Sequence, residues 1–477
     1  LPAPGKEKPS TALPIEGLSV AEFSIIHGEL SYTDTAAGLK KQVSDITLKL
    51  DDIRLDQPLD VMFSAVIDDK PVSLDGSIGP VGKEPGRGIV SLDLVARALN
   101  ELELRLSGTI TDPLEKQALD LAVDIPRFSP EKLLKALGQP LPVVPRDPDV
   151  FKALSLSVKM KGDKNQMVFS DGRLTLDDSN AVFSAEIKAF DRPDLSFDVQ
   201  LDAMDVDRYL PEAADKKTPQ QGAGESKKDS VKKQDPIDYA PLRKLILDGR
   251  LTAGKLTAQG VVMENVVVKL DAKNGILSMN PLSADVYQGD IHSVLNVNVQ
   301  GKHPKTAVDL KTSGVQVGPL LNDALKKDLL EGALDARISL TMTGDTPDMI
   351  KPSLNGSGNL LFSDGAVVGI DLASAVRNVK VKLGLAENPA EKPRTDFAAL
   401  EMPFSAVNGL VNINGTRLSS PLIRLLASGE INLVKELLDL RVEPKFVATL
   451  KGQGDTKDRS GLMVPVQITG SFTDPKV

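Results

Sequence analysis

Apolar and polar residues alternate one by one over long parts of the chain. Successive side chains of a β-strand point to opposite faces, so this alternation predicts strands with one apolar and one polar face. Parallel sheets covered by helices have continuous apolar runs instead, and the pattern therefore favours antiparallel strands. The apolar positions that we select as candidates for a functional surface are Leu102, Leu104, Leu106, Leu119, Leu121, Val123, Phe197, Val199, Leu201, Leu295, Val297, Val299, Ile338, Leu340, Met342, Leu438, Leu440 and Val442.

The fold predicted from this pattern is mainly β, an elongated, curved antiparallel sheet that forms an apolar groove or folds over, with a few short helices. Asx-Gly pairs between alternating runs indicate hairpin turns, because a type I′ turn needs positive φ at both central residues. Such pairs occur at Asp171-Gly172, Asn274-Gly275, Asp364-Gly365, Asn408-Gly409 and Asn414-Gly415.

Two sequence phrases recur along the chain. A phrase typical of strand ends is present at residues 106–113, 340–348 and 468–475. A longer phrase, in which a strand leads through a bend into a short helix, is present at residues 121–137, 201–213 and 310–327. In its first copy Ser129 occupies an N-cap position and Pro130 the first helical position. Such repeats indicate units that cannot bury their apolar face alone and that continue their sheet into the next unit.

One segment interrupts the strand pattern. Residues 214–236 are rich in charged and small residues and contain almost no bulky apolar side chain beyond Val231. Such a composition does not offset the entropy that ordering costs, so it predicts a disordered linker. The predicted organisation is an N-terminal β segment at 1–213, this linker at 214–236 and a C-terminal β segment at 237–477.

Composition and charge argue against several classes of function. The chain has no Cys and no Trp, aromatic residues make up 4%, and the formal net charge is −9. Proteins that bind nucleobases or sugars usually stack them on aromatic rings, and phosphate backbones are bound by basic surfaces. Nucleic acid is therefore not an expected partner, and neither disulfides nor cysteine-based metal sites can form.

The sequence contains no constellation that is typical of an active site. The segment 249–256 has the spacing of a phosphate-binding loop, but Leu256 stands where a magnesium ligand is needed, and the segment alternates like a strand. The three histidines, His27, His292 and His303, are scattered along the chain. We therefore predict no catalysis, no metal and no cofactor, with an enzyme of unrecognised site as a weaker alternative.

The sequence alone allows two interpretations of the apolar face. Two such sheets packed face to face would form an ordinary sandwich whose core binds nothing. A curved sheet lined with Leu, Val and Ile, with few rings and few helices to cover it, would instead fit flexible acyl chains. Periodicity alone favours the sandwich, because large exposed apolar patches are rare.

Several segments resemble the AsmA family of Gram-negative envelope proteins. The most extensive is residues 242–298, which begins LRKLILDGRLTAGKLTAQG. The other segments that are similar to the family are 15–38, 364–378, 395–413, 419–444 and 464–477.

This resemblance implies a body in the periplasm that is anchored in the inner membrane by a helix preceding the present chain. The opening LPAPGKEKPS starts without Met, so we expect a fragment that lacks this helix and a first β segment. The family is similar to bridge-like lipid transfer proteins, which implies phospholipid as the ligand, held or conducted along an apolar groove between inner and outer membrane. The alternative is a structural or assembly factor for outer-membrane proteins that acts by strand addition, with an outer-membrane or periplasmic protein as partner.

Overall fold

A computed structural model describes residues 19–34, 39–82, 84, 86–211, 237–369, 393–420, 423–446 and 465–476. Strands dominate this part of the chain, and the helices are few and short. The chain divides into two compact units, which we call the first and the second unit. The first comprises Leu1–Asp191 and Ser196–Val199, and the second comprises Arg192–Leu195 and Gln200–Val477.

The first unit is an antiparallel meander in which each strand pairs with the next one along the chain. Antiparallel meanders of this kind commonly have one apolar and one polar face. Its strands are β1 (Ser19–Asp34), β2 (Leu39–Arg54), β3 (Leu59–Ile67), β4 (Lys70–Gly79), β5 (Ile89–Ala98), β6 (Leu102–Thr111), β7 (Ala118–Phe128), β8 (Leu154–Gly162), β9 (Gln166–Leu176) and β10 (Ser179–Lys188).

The second unit repeats this meander. Its strands from β12 onward pair antiparallel in chain order, with the short β20 and β21 both lying between β19 and β22. The strands are β11 (Asp194–Asp205, which contributes to both units), β12 (Ile246–Ala258), β13 (Val261–Lys273), β14 (Ile276–Val286), β15 (Gly289–Asn298), β16 (Lys305–Gln316), β17 (Leu330–Thr343), β18 (Asn355–Val368), β19 (Arg394–Val407), β20 (Leu410–Asn412), β21 (Thr416–Ser419), β22 (Ile423–Asn432), β23 (Leu437–Phe446), β24 (Val466–Ser471) and β25 (Asp474–Lys476).

Short helices follow the strands at the recurring phrase. Ser129 caps the first one, since its Oγ accepts a hydrogen bond from the Lys132 backbone N–H at 3.3 Å, and Pro130 is the first helical residue, as predicted. In the second copy of the phrase the helix is only a 3-10 turn, Val206–Arg208. The described α-helices are α1 (Pro130–Ala136), α2 (Ala240–Lys244), α3 (Val317–Leu325) and α4 (Pro347–Ser353).

Strands β11 and β12 depart from the antiparallel rule. The backbone N–H of Ile246, at the start of β12, donates to the carbonyl of Pro193, just before β11. Beyond the other ends of the two strands, the Asp207 carboxylate accepts from the backbone N–H of Gln259 and Gly260 at 2.6 and 2.7 Å. The two strands therefore run in the same direction, and a parallel pair needs a long crossover connection.

Two of the predicted hairpin turns are wrong. Asp171-Gly172 lies inside β9 and Asp364-Gly365 inside β18. Asp171 and Asp364 have φ of 53° and 49°, and the register shifts beside both, so that one strand carries an extra residue. An Asx residue with left-handed backbone serves a β-bulge as well as a turn, and a bulge increases the local twist of the sheet.

The other Asx-Gly pairs do lie between strands. Asn274-Gly275 joins β13 to β14 and Asn408-Gly409 joins β19 to β20, with positive φ at both residues of each pair. Asn414-Gly415 separates β20 from β21. The prediction of a mainly antiparallel β fold with a few short helices is confirmed. The predicted linker, 214–236, lies outside the described residues and stays a prediction.

Candidate functional site

One row of apolar residues crosses the first unit from strand to strand. Residues that are directly paired across an antiparallel ladder point to the same face, so the register can be followed through successive strands. The row, which we call the first row, consists of Phe23, Leu50, Val61, Gly76, Leu94, Leu106, Val123 and Val158 on β1 to β8. The predicted residues Leu106 and Val123 are therefore cross-strand neighbours on a continuous apolar face.

A second row crosses the second unit in the same way. It joins the predicted residues Leu295, Leu340 and Leu438, which are far apart in sequence, through directly paired neighbours. This second row consists of Leu270, Met279, Leu295, Val308, Leu340, Gly356, Ala406, Val411, Ile431 and Leu438. Apart from Ala406, these residues are half-buried rather than enclosed.

The opposite face of the first unit is polar and carries ion pairs between strands. Arg97 contacts Asp75 at 3.2 Å and Glu103 at 2.9 Å, and Arg105 also contacts Glu103, at 2.8 Å. Hydrogen bonds from Arg105 and then from Arg97 lower the pKa of Glu103 below its ordinary value. Exposed ion pairs of this kind contribute little to stability. Their charged side chains favour exposure of this face to solvent.

All of the predicted surface residues lie in the part of the chain that the structure describes. Leu121 and Val299 are buried, Val299 just beyond the end of β15, and the others are half-buried. Ile338, Leu340 and Met342 lie on one face of β17, paired to Leu310, Val308 and Thr306. Phe197, Val199 and Leu201 lie on β11, and their side chains are half-buried.

One part of the second unit is closed by its own side chains. Here α3 and strands β18 to β22 form a cluster of buried residues, namely Val317, Phe362, Phe397, Leu418, Ile423 and Leu425. The predicted residue Val442 packs against this cluster, as does Ala427. Tyr287 contacts α3, because its hydroxyl donates a hydrogen bond to Asp323 of this helix at 2.7 Å. Burial and the nearby Asp323 carboxylate raise the pKa of Tyr287.

Several residues of the apolar face are absent from the set that was selected from the sequence. They share the alternation of the selected residues, so the same signal identifies them: Leu48, Leu50, Val61, Phe63, Leu74, Leu92, Leu94, Leu282, Val308, Leu310 and Leu360. The cluster around α3 has no comparable signal, because it joins residues that lie far apart in the chain.

The sequence motifs that were considered as candidates for chemistry lie in ordinary β-strands. The segment 249–256 lies within β12, in agreement with its alternation. His292 lies 3.2 Å from Asp290 on an exposed strand surface. Within the described ranges, no group of three His, Asp or Glu side chains is placed to hold a metal ion. No helix in those ranges has the length and apolar character needed to cross a bilayer.

Residues 93–416, more than half of the chain, match the model of the AsmA family. The chain belongs to the AsmA family. The match includes β6 to β10 of the first unit, whereas the similar segments noted in the sequence lie mostly in the second. Membership in this family suggests a role in envelope biogenesis.

The chain is also similar to Protein AsmA of Escherichia coli (strain K12), with 19% identity over 330 residues. This alignment covers 67% of the present chain and 53% of the relative, so the chain spans about half the length of the curated relative it matches. No solved structure matches the chain.

Proposed function

We propose that this AsmA-family chain holds or conducts phospholipid along its apolar face, in the periplasm between the inner and the outer membrane. The observation that supports this is the register-continuous apolar row in each unit. A row that passes from strand to strand offers an acyl chain similar contacts at every step. Burial of acyl chains stabilises the bound state by about 0.8 kcal/mol per CH₂ group.

The degree of burial supports lipid over a closed sandwich. In a dry core, side chains pack at the density of organic crystals and few remain accessible. Leu295, Leu340 and Leu438 are half-buried, whereas Leu418 in the cluster around α3 is 4% exposed. The second unit thus contains both a closed core and an apolar row that retains accessible surface.

The proposed role needs no nucleophile and no cofactor. Weak, similar and shallow sites allow a lipid to bind and then to pass to the neighbouring site, because no single contact dominates the binding. The polar face, with ion pairs such as Arg97–Asp75, keeps the chain soluble in the aqueous gap. We therefore propose a non-enzymatic carrier or conduit.

The decisive experiment places one charge on the row and counts phospholipid. We expect Leu340→Asp and Ile338→Asp to lower the phospholipid that co-purifies with the protein, measured by mass spectrometry, while the melting temperature falls little. A carboxylate on an accessible face can reach water, whereas one in a closed core costs several kcal/mol or must stay neutral. Leu418→Asp, in the cluster around α3, supplies that closed-core reference.

The control must lie on the opposite face of the same strand. Ser339 is unsuitable, because its Oγ donates to the Asp309 carboxylate at 2.6 Å and Ser339→Asp would place two carboxylates together. Thr341 is exposed and pairs with Ala307 and Asn355, so Thr341→Asp tests charge alone. A wild-type protein without lipid, together with unfolding of Leu340→Asp as severe as that of Leu418→Asp, would favour the sandwich and refute the proposal.

The second candidate, an assembly factor that acts by strand addition, is favoured by one observation on β1. This strand pairs with β2, and its apolar residues Phe23 and Ile25 are 46% and 40% exposed. An added strand would cover them and slow exchange of the β1 amides. Hydrogen exchange with an unfolded outer-membrane polypeptide separates the two functions. An added strand forms hydrogen bonds with the backbone amides of β1, whereas an acyl chain on the apolar face contacts side chains such as Phe23.

A further inference from the structure

Three neighbouring turns of the second unit present exposed apolar side chains. They are the turns between β19 and β20, between β22 and β23, and between β24 and β25. Backbone hydrogen bonds hold them side by side, from Leu433 N–H to the Gly409 carbonyl and from Phe472 N–H to the Glu436 carbonyl. We call the exposed residues the turn ridge, and they are Val407 (62%), Leu410 (37%), Val434 (50%), Leu437 (43%) and Phe472 (43%).

Elsewhere the sheet is apolar on one face only, but at the turn ridge this pattern ends. Leu410 and Val411 are consecutive residues of β20, and Leu437 and Leu438 are consecutive residues of β23. Consecutive side chains point to opposite faces, so these strand ends are apolar on both sides. Exposing both sides to water is unfavourable, whereas a hydrocarbon environment favours it.

Several backbone amides of the ridge turns are already hydrogen-bonded within the chain. Gly409 N–H donates to the Leu354 carbonyl, and the Asn432 side chain accepts from the N–H groups of Val434 and Lys435. A segment that enters a bilayer must satisfy its polar backbone internally, and these amides meet that condition. Because the same amides are engaged, they are not available to an added strand of a protein partner.

We infer that the turn ridge docks on the surface of a lipid bilayer, with Val434 and Phe472 entering the apolar interface. The inference rests on the proposed function in one respect. Val411, Ile431 and Leu438 of the second row are next to the ridge, so a bilayer docked here lies beside the end of the lipid-holding face. Exposed contiguous apolar surface of this kind is typical of interaction sites.

The lack of tryptophan in the chain gives a direct test. Phe472→Trp introduces a single tryptophan, which can be excited selectively in the presence of the four tyrosines. We expect its emission to shift to the blue when vesicles of phosphatidylethanolamine and phosphatidylglycerol are added. Leu114→Trp, at a 75% exposed position of the first unit, is the control and should not shift. Emission from Trp at 472 that is unchanged by vesicles would overturn the inference.

Vesicle co-sedimentation gives a second, independent readout. We expect the variant with Val434→Ser and Phe472→Ser to bind these vesicles about tenfold more weakly than wild type or worse. The matched control, Leu114→Ser with Val144→Ser, replaces residues that are 75% and 79% exposed and should bind like wild type. Equal binding by both double variants would contradict docking at the ridge.

The two proposals fail in different ways. The ridge variant should keep its co-purified phospholipid, whereas Leu340→Asp should lose phospholipid and still bind vesicles. Circular dichroism checks whether each variant is folded. If the serine variant does not fold, the tryptophan experiment decides alone.

Discussion

At the scale of single residues, carboxylates fix the loops that connect the strands. The Asp177 carboxylate, between β9 and β10, accepts hydrogen bonds from the backbone N–H groups of Phe151, Lys152 and Ala153 at 2.8, 2.8 and 3.0 Å. Asp207 holds the turn between β12 and β13 in the same way. Hydrogen bonds to a charged acceptor are among the stronger ones in proteins. Asp177 therefore anchors the long connection that leads into β8, and Asp207 anchors the short turn between β12 and β13.

Replacing Asp177 by Asn tests this role. Asp177 has φ of 50°, which Asn also tolerates, so the substitution removes charge and one acceptor oxygen without adding backbone strain. We expect Asp177→Asn to lower the free energy of unfolding of the full chain by about 1–2 kcal/mol, measured by urea denaturation. Asp191→Asn, at an exposed position, is the control, and an equal loss there would refute the anchoring role.

At the scale of elements, glycines let neighbouring strands approach each other on the apolar face. Gly76 and Gly108 have φ of 142° and 134° and pair with Leu94 and Leu121. A Cβ at Gly108 would lie 2.1 Å from the Asp120 carbonyl oxygen, closer than any side chain can be accommodated. At both glycines the backbone of the next strand occupies the space that a Cβ would need, so glycine permits this close approach of the two strands.

Two alanine substitutions separate backbone strain from steric overlap. Gly88 has φ of 84° with no atom within 4 Å of its added Cβ, so Gly88→Ala should cost about 1–2 kcal/mol from backbone strain alone. Gly108→Ala adds the overlap with Asp120 and should lower the free energy of unfolding by clearly more. Urea denaturation of the two variants in parallel measures the difference. Equal losses would show that the strand separation adjusts freely.

At the scale of the whole molecule, the two units do not divide at the predicted linker. Residues 192–195 and 200–211 belong to the second unit, where Pro193 bonds to Ile246 and Asp207 to Gly260. The segment 214–236 therefore connects two strands of the same unit. That 214–236 is a disordered linker remains a prediction from composition.

Limited proteolysis tests whether the segment 214–236 is disordered and whether it connects two strands of the same unit. Trypsin should cut first near Lys227-Lys228 or Lys232-Lys233, because this segment lacks the apolar residues that ordering requires. We expect the two fragments to separate on a denaturing gel but to elute together in gel filtration, since β11 stays hydrogen-bonded beside β12. First cuts within 242–300, or fragments that elute apart, would contradict this view.

The sequence by itself determined the class of fold and most of the apolar face. Alternation of apolar and polar residues depends only on the geometry of a single strand, so the faces of β6, β7 and β17 could be predicted without knowing their neighbours. The cap at Ser129 was predictable for the same reason, because its partner Lys132 is three residues away. The family was recognisable from phrases that are local in the chain.

Only the tertiary structure decided how the same local signals are used. Asn408-Gly409 makes a turn and Asp364-Gly365 a bulge, although both are Asx-Gly pairs, because pairing with the next strand determines whether the chain reverses. Leu340 and Val442 have the same alternation, yet Leu340 continues the second row while Val442 packs against the cluster around α3. Contacts between distant segments make that difference, and a strand's own residues carry no information about which partners cover its apolar side.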